Sequence, residues 1–112
     1  MSAPTPAAQA ASGCAAPDQA APLPASVDLE KETVITGVVR SAAGEAVAGA
    51  YVRLLDGSGE FTAEVVTSAA GGFRFCAAPG SWTLRVLSRH GNGDAVVTAG
   101  RGLNETEITV SN

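Results

Sequence analysis

An all-β sandwich of seven short strands is the fold class this sequence predicts. Two observations point there. From Asp28 onward, β-branched and aromatic residues alternate with polar ones, the period of strands with one buried face. Clusters rich in Gly, Asn and Asp cut that pattern about every 8–12 residues, the spacing of sandwich strands. A helical period is absent throughout.

The first strand reads Glu32 to Arg40 (ETVITGVVR), and Ser41-Ala42-Ala43-Gly44-Glu45 turns the chain. The second, Ala50 to Leu55, puts Ala50, Val52 and Leu54 on one face and Tyr51 and Arg53 on the other. Asp56-Gly57-Ser58-Gly59 is a hairpin signal. Phe61 to Ser68 follows, with faces that its weak alternation leaves unassigned. Ala69-Ala70-Gly71-Gly72 leads into Phe73-Arg74-Phe75-Cys76, and Pro79-Gly80 into Ser81 to Leu87, where Trp82, Leu84 and Val86 share a face. Arg89 to Asp94 reads as a loop, and the last strands are Ala95 to Ala99 and Glu105 to Val110. Trp82, Phe73, Phe75, Leu54, Val52, Ile35 and Val39 are the expected core.

The chain divides unevenly. Residues 1–26 are almost all Ala, Pro, Ser, Thr and Gln, with five of the six prolines. Such a composition buries too little apolar surface to offset the entropy of ordering. A disordered tail is expected there, and a β-sandwich domain over 27–112. Deleting Met1 to Ala21 should then hardly move the melting temperature.

Composition also excludes functions. A net charge of −4 opposes nucleic-acid binding, which needs excess Lys and Arg. One His and two distant Cys are too few for a structural zinc site, and neither metal nor cofactor is expected. No apolar run of about 18 residues occurs, so no membrane span is expected. Ala11-Ser12-Gly13-Cys14 has the small residues of a lipoprotein cleavage site but lacks the basic and apolar regions of a signal. The cytoplasm is therefore the expected compartment, with Cys14 and Cys76 both reduced.

Few residues offer chemistry. Cys14 has no neighbouring cation to lower its pKa, and the choice is between an ordinary exposed thiol and a flexible sulfur acceptor. Cys76, at a strand end, reads as a small inert residue. His90 lies among turn residues, with no nucleophile placed beside it. Tyr51, Arg53, Arg74 and Arg85 all take the outward parity of their strands. If those strands share a sheet, they form either a solvated face paired with Glu60 or Glu64, or a docking face for an acidic partner or small oxyanion.

Residues 35–88 resemble the carboxypeptidase regulatory-like domain, a Greek-key, transthyretin-like sandwich. The resemblance lies in Ile35-Thr36-Gly37-Val38-Val39, Gly49-Ala50-Tyr51-Val52-Arg53-Leu54, Gly71-Gly72-Phe73-Arg74-Phe75 and Trp82-Thr83-Leu84-Arg85-Val86. Longer words resemble the SseC family: LPASVDLEKETVITG over 23–37, VRLLD over 52–56, EFTAEVV over 60–66, AAPGSWT over 77–83 and GNGDAVV over 91–97. That small actinobacterial family takes its name from genes beside those for thiosulfate sulfurtransferases of the rhodanese type. The resemblance implies a non-catalytic accessory protein of sulfur metabolism, docking a sulfurtransferase, with Cys14 as candidate sulfur acceptor. The alternative is a purely structural or binding module, for protein or carbohydrate, without thiol chemistry. A stand-alone enzyme ranks third, and the oligomeric state is not legible.

Overall fold

A computed structural model describes Gln19 and residues 32–111. Seven strands form two sheets: β1 (Thr33–Arg40), β2 (Tyr51–Leu55), β3 (Phe61–Val66), β4 (Gly72–Ala77), β5 (Gly80–Ser88), β6 (Gly91–Ala99) and β7 (Gly102–Thr109). One sheet runs β4-β1-β7 and the other β3-β2-β5-β6. All pairs are antiparallel except β1 with β7. The fold is the expected transthyretin-like sandwich.

Alternation dictates what lies between the sheets. Ile35 and Val39 on β1, Val52 and Leu54 on β2, Phe73 and Phe75 on β4, and Leu84 and Val86 on β5 are all buried in one cluster. Ile108 and Val110, from and just after β7, close its end. Trp82 keeps the inward parity expected of it but is only partly buried, packing against the cluster's margin. Its Nε1–H donates to the Ala78 carbonyl at 2.8 Å. It stands near the start of β5, a strand of the four-stranded sheet.

Strand β6 begins at Gly91, four residues before the expected start, and the β5–β6 connection shrinks to Arg89-His90. Gly91-Asn92-Gly93-Asp94 is strand rather than loop because Gly93 is small for packing reasons. A Cβ there would lie 2.6 Å from the Thr109 carbonyl oxygen and 3.2 Å from Ile108 Cγ2. The end of β7 thus crosses directly over Gly93.

Asp56 organises the β2–β3 turn. Its Oδ1 accepts from the Ser58 hydroxyl at 2.7 Å, from the Ser58 amide at 2.9 Å and from the Glu60 amide at 3.0 Å. The Ser58 hydroxyl and the amides of Glu60 and Ser58 favour the carboxylate and hold its pKa below the ordinary value. A depressed carboxylate contributes stability above the unfolded pKa, about 4, and loses it as pH falls through the folded value. The melting temperatures of wild type and Asp56→Asn should therefore differ near neutrality and converge below about pH 4. Thermal melts from pH 2 to 7 check this. A gap that persists at pH 2 would assign the turn's stability to shape rather than charge.

Candidate docking face

The outer face of the four-stranded sheet is a set of cross-strand rows fixed by register. Glu64, Arg53, Arg85 and Asp94 lie side by side across β3, β2, β5 and β6. One step along the strands, Val66, Tyr51, Leu87 and Asn92 form the next row. On the other side stand Thr83 and Val96, with Phe61 at the β3 edge. A charged row is therefore flanked by two rows rich in apolar side chains. Tyr51, Phe61, Val66 and Val96 are the exposed large hydrophobics of this face.

The two arginines differ in their surroundings. Arg53 Nε donates to Glu64 Oε2 at 2.8 Å, and its guanidinium lies over the Phe61 ring, 5.9 Å from the centroid. Arg85, directly opposite Arg53, is exposed, and its guanidinium makes no hydrogen bond or ion pair among the described residues. Like charges directly opposed across a strand pair are unfavourable. Glu64 and Phe61 offset that for Arg53, whereas Arg85 has Asp94 directly across on β6 but no direct ion pair with it. An open depression of about 370 Å3, lined by Arg85, Leu87, Asn92, Gly93 and Asp94, lies beside it.

Three of the four expected docking residues, Tyr51, Arg53 and Arg85, thus share one face. Arg74 does not join them. It lies on β4 in the other sheet and is only 7% exposed. Parity gives the side of a strand from which a residue projects, but not the sheet to which the strand belongs. Phe61, Leu87 and Val96 escaped the sequence reading. The Asp56-Gly57 turn could have placed Phe61 beside Arg53, but a register shift at Leu54/Leu55 hides the pairing.

The remaining candidates are separate. His90 is exposed at the two-residue β5–β6 turn. Cys76, expected to be reduced, is instead disulfide-bonded. The chain's other cysteine is Cys14, which lies outside the described residues, as do residues 1–18 and 20–31 of the expected tail and its border. Disulfides persist in oxidising surroundings, so the thiol argument for a cytoplasmic location no longer supports it. Among the described residues, no helix is long and apolar enough to cross a membrane.

Comparison with known proteins gives a consistent family and fold. A family described as "Protein of unknown function (DUF1416)" matches residues 14–110. The uncharacterized proteins Rv0814c and Rv3118 of Mycobacterium tuberculosis are each 65% identical over 99 residues, covering 88% of this chain and 99% of the relative. A solved 5-hydroxyisourate hydrolase from Klebsiella pneumoniae superposes with a TM-score of 0.56 at 19% identity, over 70% of this chain and 89% of that one. A chlorocatechol 1,2-dioxygenase from Pseudomonas putida gives 0.57 at 13% identity, over 78% of this chain and 63% of that one. At such identities these structures are alike in fold alone.

Proposed function

The chain belongs to the DUF1416 family of unknown function, and from that premise we propose that it is a non-catalytic interaction module. The outer face of the four-stranded sheet docks a partner protein that presents a carboxylate between apolar side chains. The observation that carries this reading is Arg85, an exposed guanidinium that makes no direct ion pair among the described residues and stands beside Asp94 between two apolar rows. Tyr51 and Phe61 add broad, stiff contact surfaces of the kind enriched at protein interfaces. A thiosulfate sulfurtransferase, the partner implied by the SseC resemblance, is the first candidate. Sulfur acceptance by Cys14 needs a thiolate, so that role is confined to chains in which Cys14 is reduced.

The test is binding of purified thiosulfate sulfurtransferase to wild type, Arg85→Gln and Val96→Ser. Arg85→Gln is expected to weaken binding about tenfold at low salt, with a smaller effect at high salt. Val96→Ser should weaken it at both. Melting temperatures should stay within about 2 °C of wild type, because exposed substitutions rarely exceed about 0.5 kcal/mol. Wild-type binding by both variants would remove this face as the docking surface. No binding by the wild type would remove the sulfurtransferase as partner.

A further inference from the structure

The two sheets end in edge strands, β3 and β6 on one and β4 and β7 on the other. An edge presents unpaired N–H and C=O groups, and proteins blunt it with charged side chains, bulges or Pro. Strand β3 has Glu64 and a register shift opposite Leu54/Leu55. Strand β4 has Arg74 at its middle, and β7 has Glu105 and Glu107. Strand β6 is different. Its pairing with β5 runs unbroken from Gly91 to Ala99, it contains no Pro, and Asp94 is its one charged residue. Its middle, Ala95-Val96-Val97, is apolar on both faces. Val96 points outward and is 70% exposed, while Ala95 and Val97 point inward and are only partly buried against the core.

The bonding of Asn92 fixes which backbone groups of β6 point off the sheet. Its amide donates to the Ser111 carbonyl and its carbonyl accepts from the Ser111 amide, each at 3.1 Å. Alternate residues of a strand direct N–H and C=O to the same side. Those of Asp94, Val96 and Thr98 therefore also point away from β5, and nothing among the described residues takes them.

We infer that two copies of this chain pair through β6, antiparallel about a two-fold axis at Val96, so that their four-stranded sheets join into one of eight strands. The open groups choose this register. Centring on Val96 sets it opposite Val96 of the partner subunit and sets Asp94 opposite Thr98 of the partner subunit. Each of the three residues then donates once and accepts once. Centring on Asp94 would oppose two carboxylates directly, which is unfavourable. Centring on Ala95 would call on Asn92, already bound to Ser111. In the Val96 register Ala95 also meets Val97 of the partner subunit on the inner side, in the pair geometry that brings side chains closest. Apolar contact thus forms on both faces of the junction. The contact uses the same strand of each chain, so it closes at two copies rather than growing into a fibre. It does not rest on the docking reading, and it leaves Tyr51, Phe61 and Arg85 on the outer face.

Full-length protein tests it. Light scattering after size exclusion should give a dimer at high protein concentration that dissociates on dilution. Val96→Lys and Val96→Glu should each be monomeric, because like charges then oppose each other across the axis. Both should still melt cooperatively, since Val96 is exposed. An equimolar mixture of the two variants should restore the dimer, because opposite charges then meet. Hydrogen exchange reads the same edge without any substitution. In the wild type the amides of Asp94, Val96 and Thr98 should slow about tenfold from low to high protein concentration, while those of Ala95 and Val97, which face β5, stay unchanged. A wild type that remains monomeric, variants that still dimerise, a mixture that stays monomeric, or edge amides indifferent to concentration would each overturn the inference. So would a dimer that a non-reducing gel shows to be held by a disulfide between chains.

Discussion

Gly37→Val is expected to abolish cooperative folding, and Gly37→Ala to lower the melting temperature by roughly 10 °C or more. Gly37 sits in the middle of β1, the central strand of its sheet, between Phe73 on β4 and Thr106 on β7. A Cβ there would lie 2.4 Å from the Thr106 carbonyl oxygen and 2.6 Å from Phe73 Cζ. The phenyl ring occupies the space a side chain would need. Overpacking a core costs about 1–3 kcal/mol, or more when the obstacle cannot move. Here one obstacle is the backbone of a paired strand, so β7 itself must shift. At about 4–8 °C per kcal/mol for a domain of this size, the Ala variant already shows a large loss. Circular dichroism melts read both. Phe73→Leu in the Gly37→Ala background should recover part of the loss by removing the ring contact. A Gly37→Ala melt within 2 °C of wild type would show that β1 and β7 have slack between them.

The same glycine marks what alternation could and could not reveal. In Gly37 and Gly93, small size reports the approach of another part of the fold, at Thr106 in one case and at Thr109 and Ile108 in the other. Neither approach is visible locally. The Ile-x-Gly-x-Val word around Gly37 was readable as strand because β-branched residues flank it. Gly93, flanked by Asn92 and Asp94, carried the local chemistry of a turn, and strand β6 therefore seemed to start late. Strands β2 and β5 were legible because their large inward residues alternate with polar outward ones. In β4, Phe73 and Phe75 were legible as core, but not the burial of Arg74 between them or the hydrogen bond its amide donates to Gln19, 55 residues away in sequence.

The docking face divides along the same line. Parity gave Tyr51, Arg53 and Arg85 because each belongs to a clearly alternating strand. Their assembly on one face depends on β2 pairing with β5 rather than with β4, a matter of which sheet each strand joins. Phe61 and Val96 lie on strands whose outward residues mix apolar with polar ones, so alternation gave little contrast. No local pattern announces the Cys76 disulfide, and the reduced state was expected from compartment alone.

Phe73→Ala is expected to destabilise the sandwich by about 3–5 kcal/mol, and Trp82→Ala by clearly less, although tryptophan is the larger side chain. Phe73 is fully buried, 1% exposed, and meets Phe75 at a centroid separation of 6.1 Å with the rings tilted by 58°. Its ring also fills the gap over Gly37, so removal leaves a cavity bounded by β1 backbone that cannot collapse inward. Trp82 is partly buried at the cluster's margin. Truncating it exposes surface that already borders water and removes one hydrogen bond, to Ala78, worth about 0.5–1.5 kcal/mol net. Against a total stability of typically 5–15 kcal/mol, Phe73→Ala should leave a marginal fold and Trp82→Ala a sound one. Urea unfolding followed by far-ultraviolet circular dichroism gives both values on one scale, without using tryptophan fluorescence as the probe. A larger loss from Trp82→Ala would place the energetic centre of the sandwich at the start of β5 rather than at the Phe73–Phe75 pair.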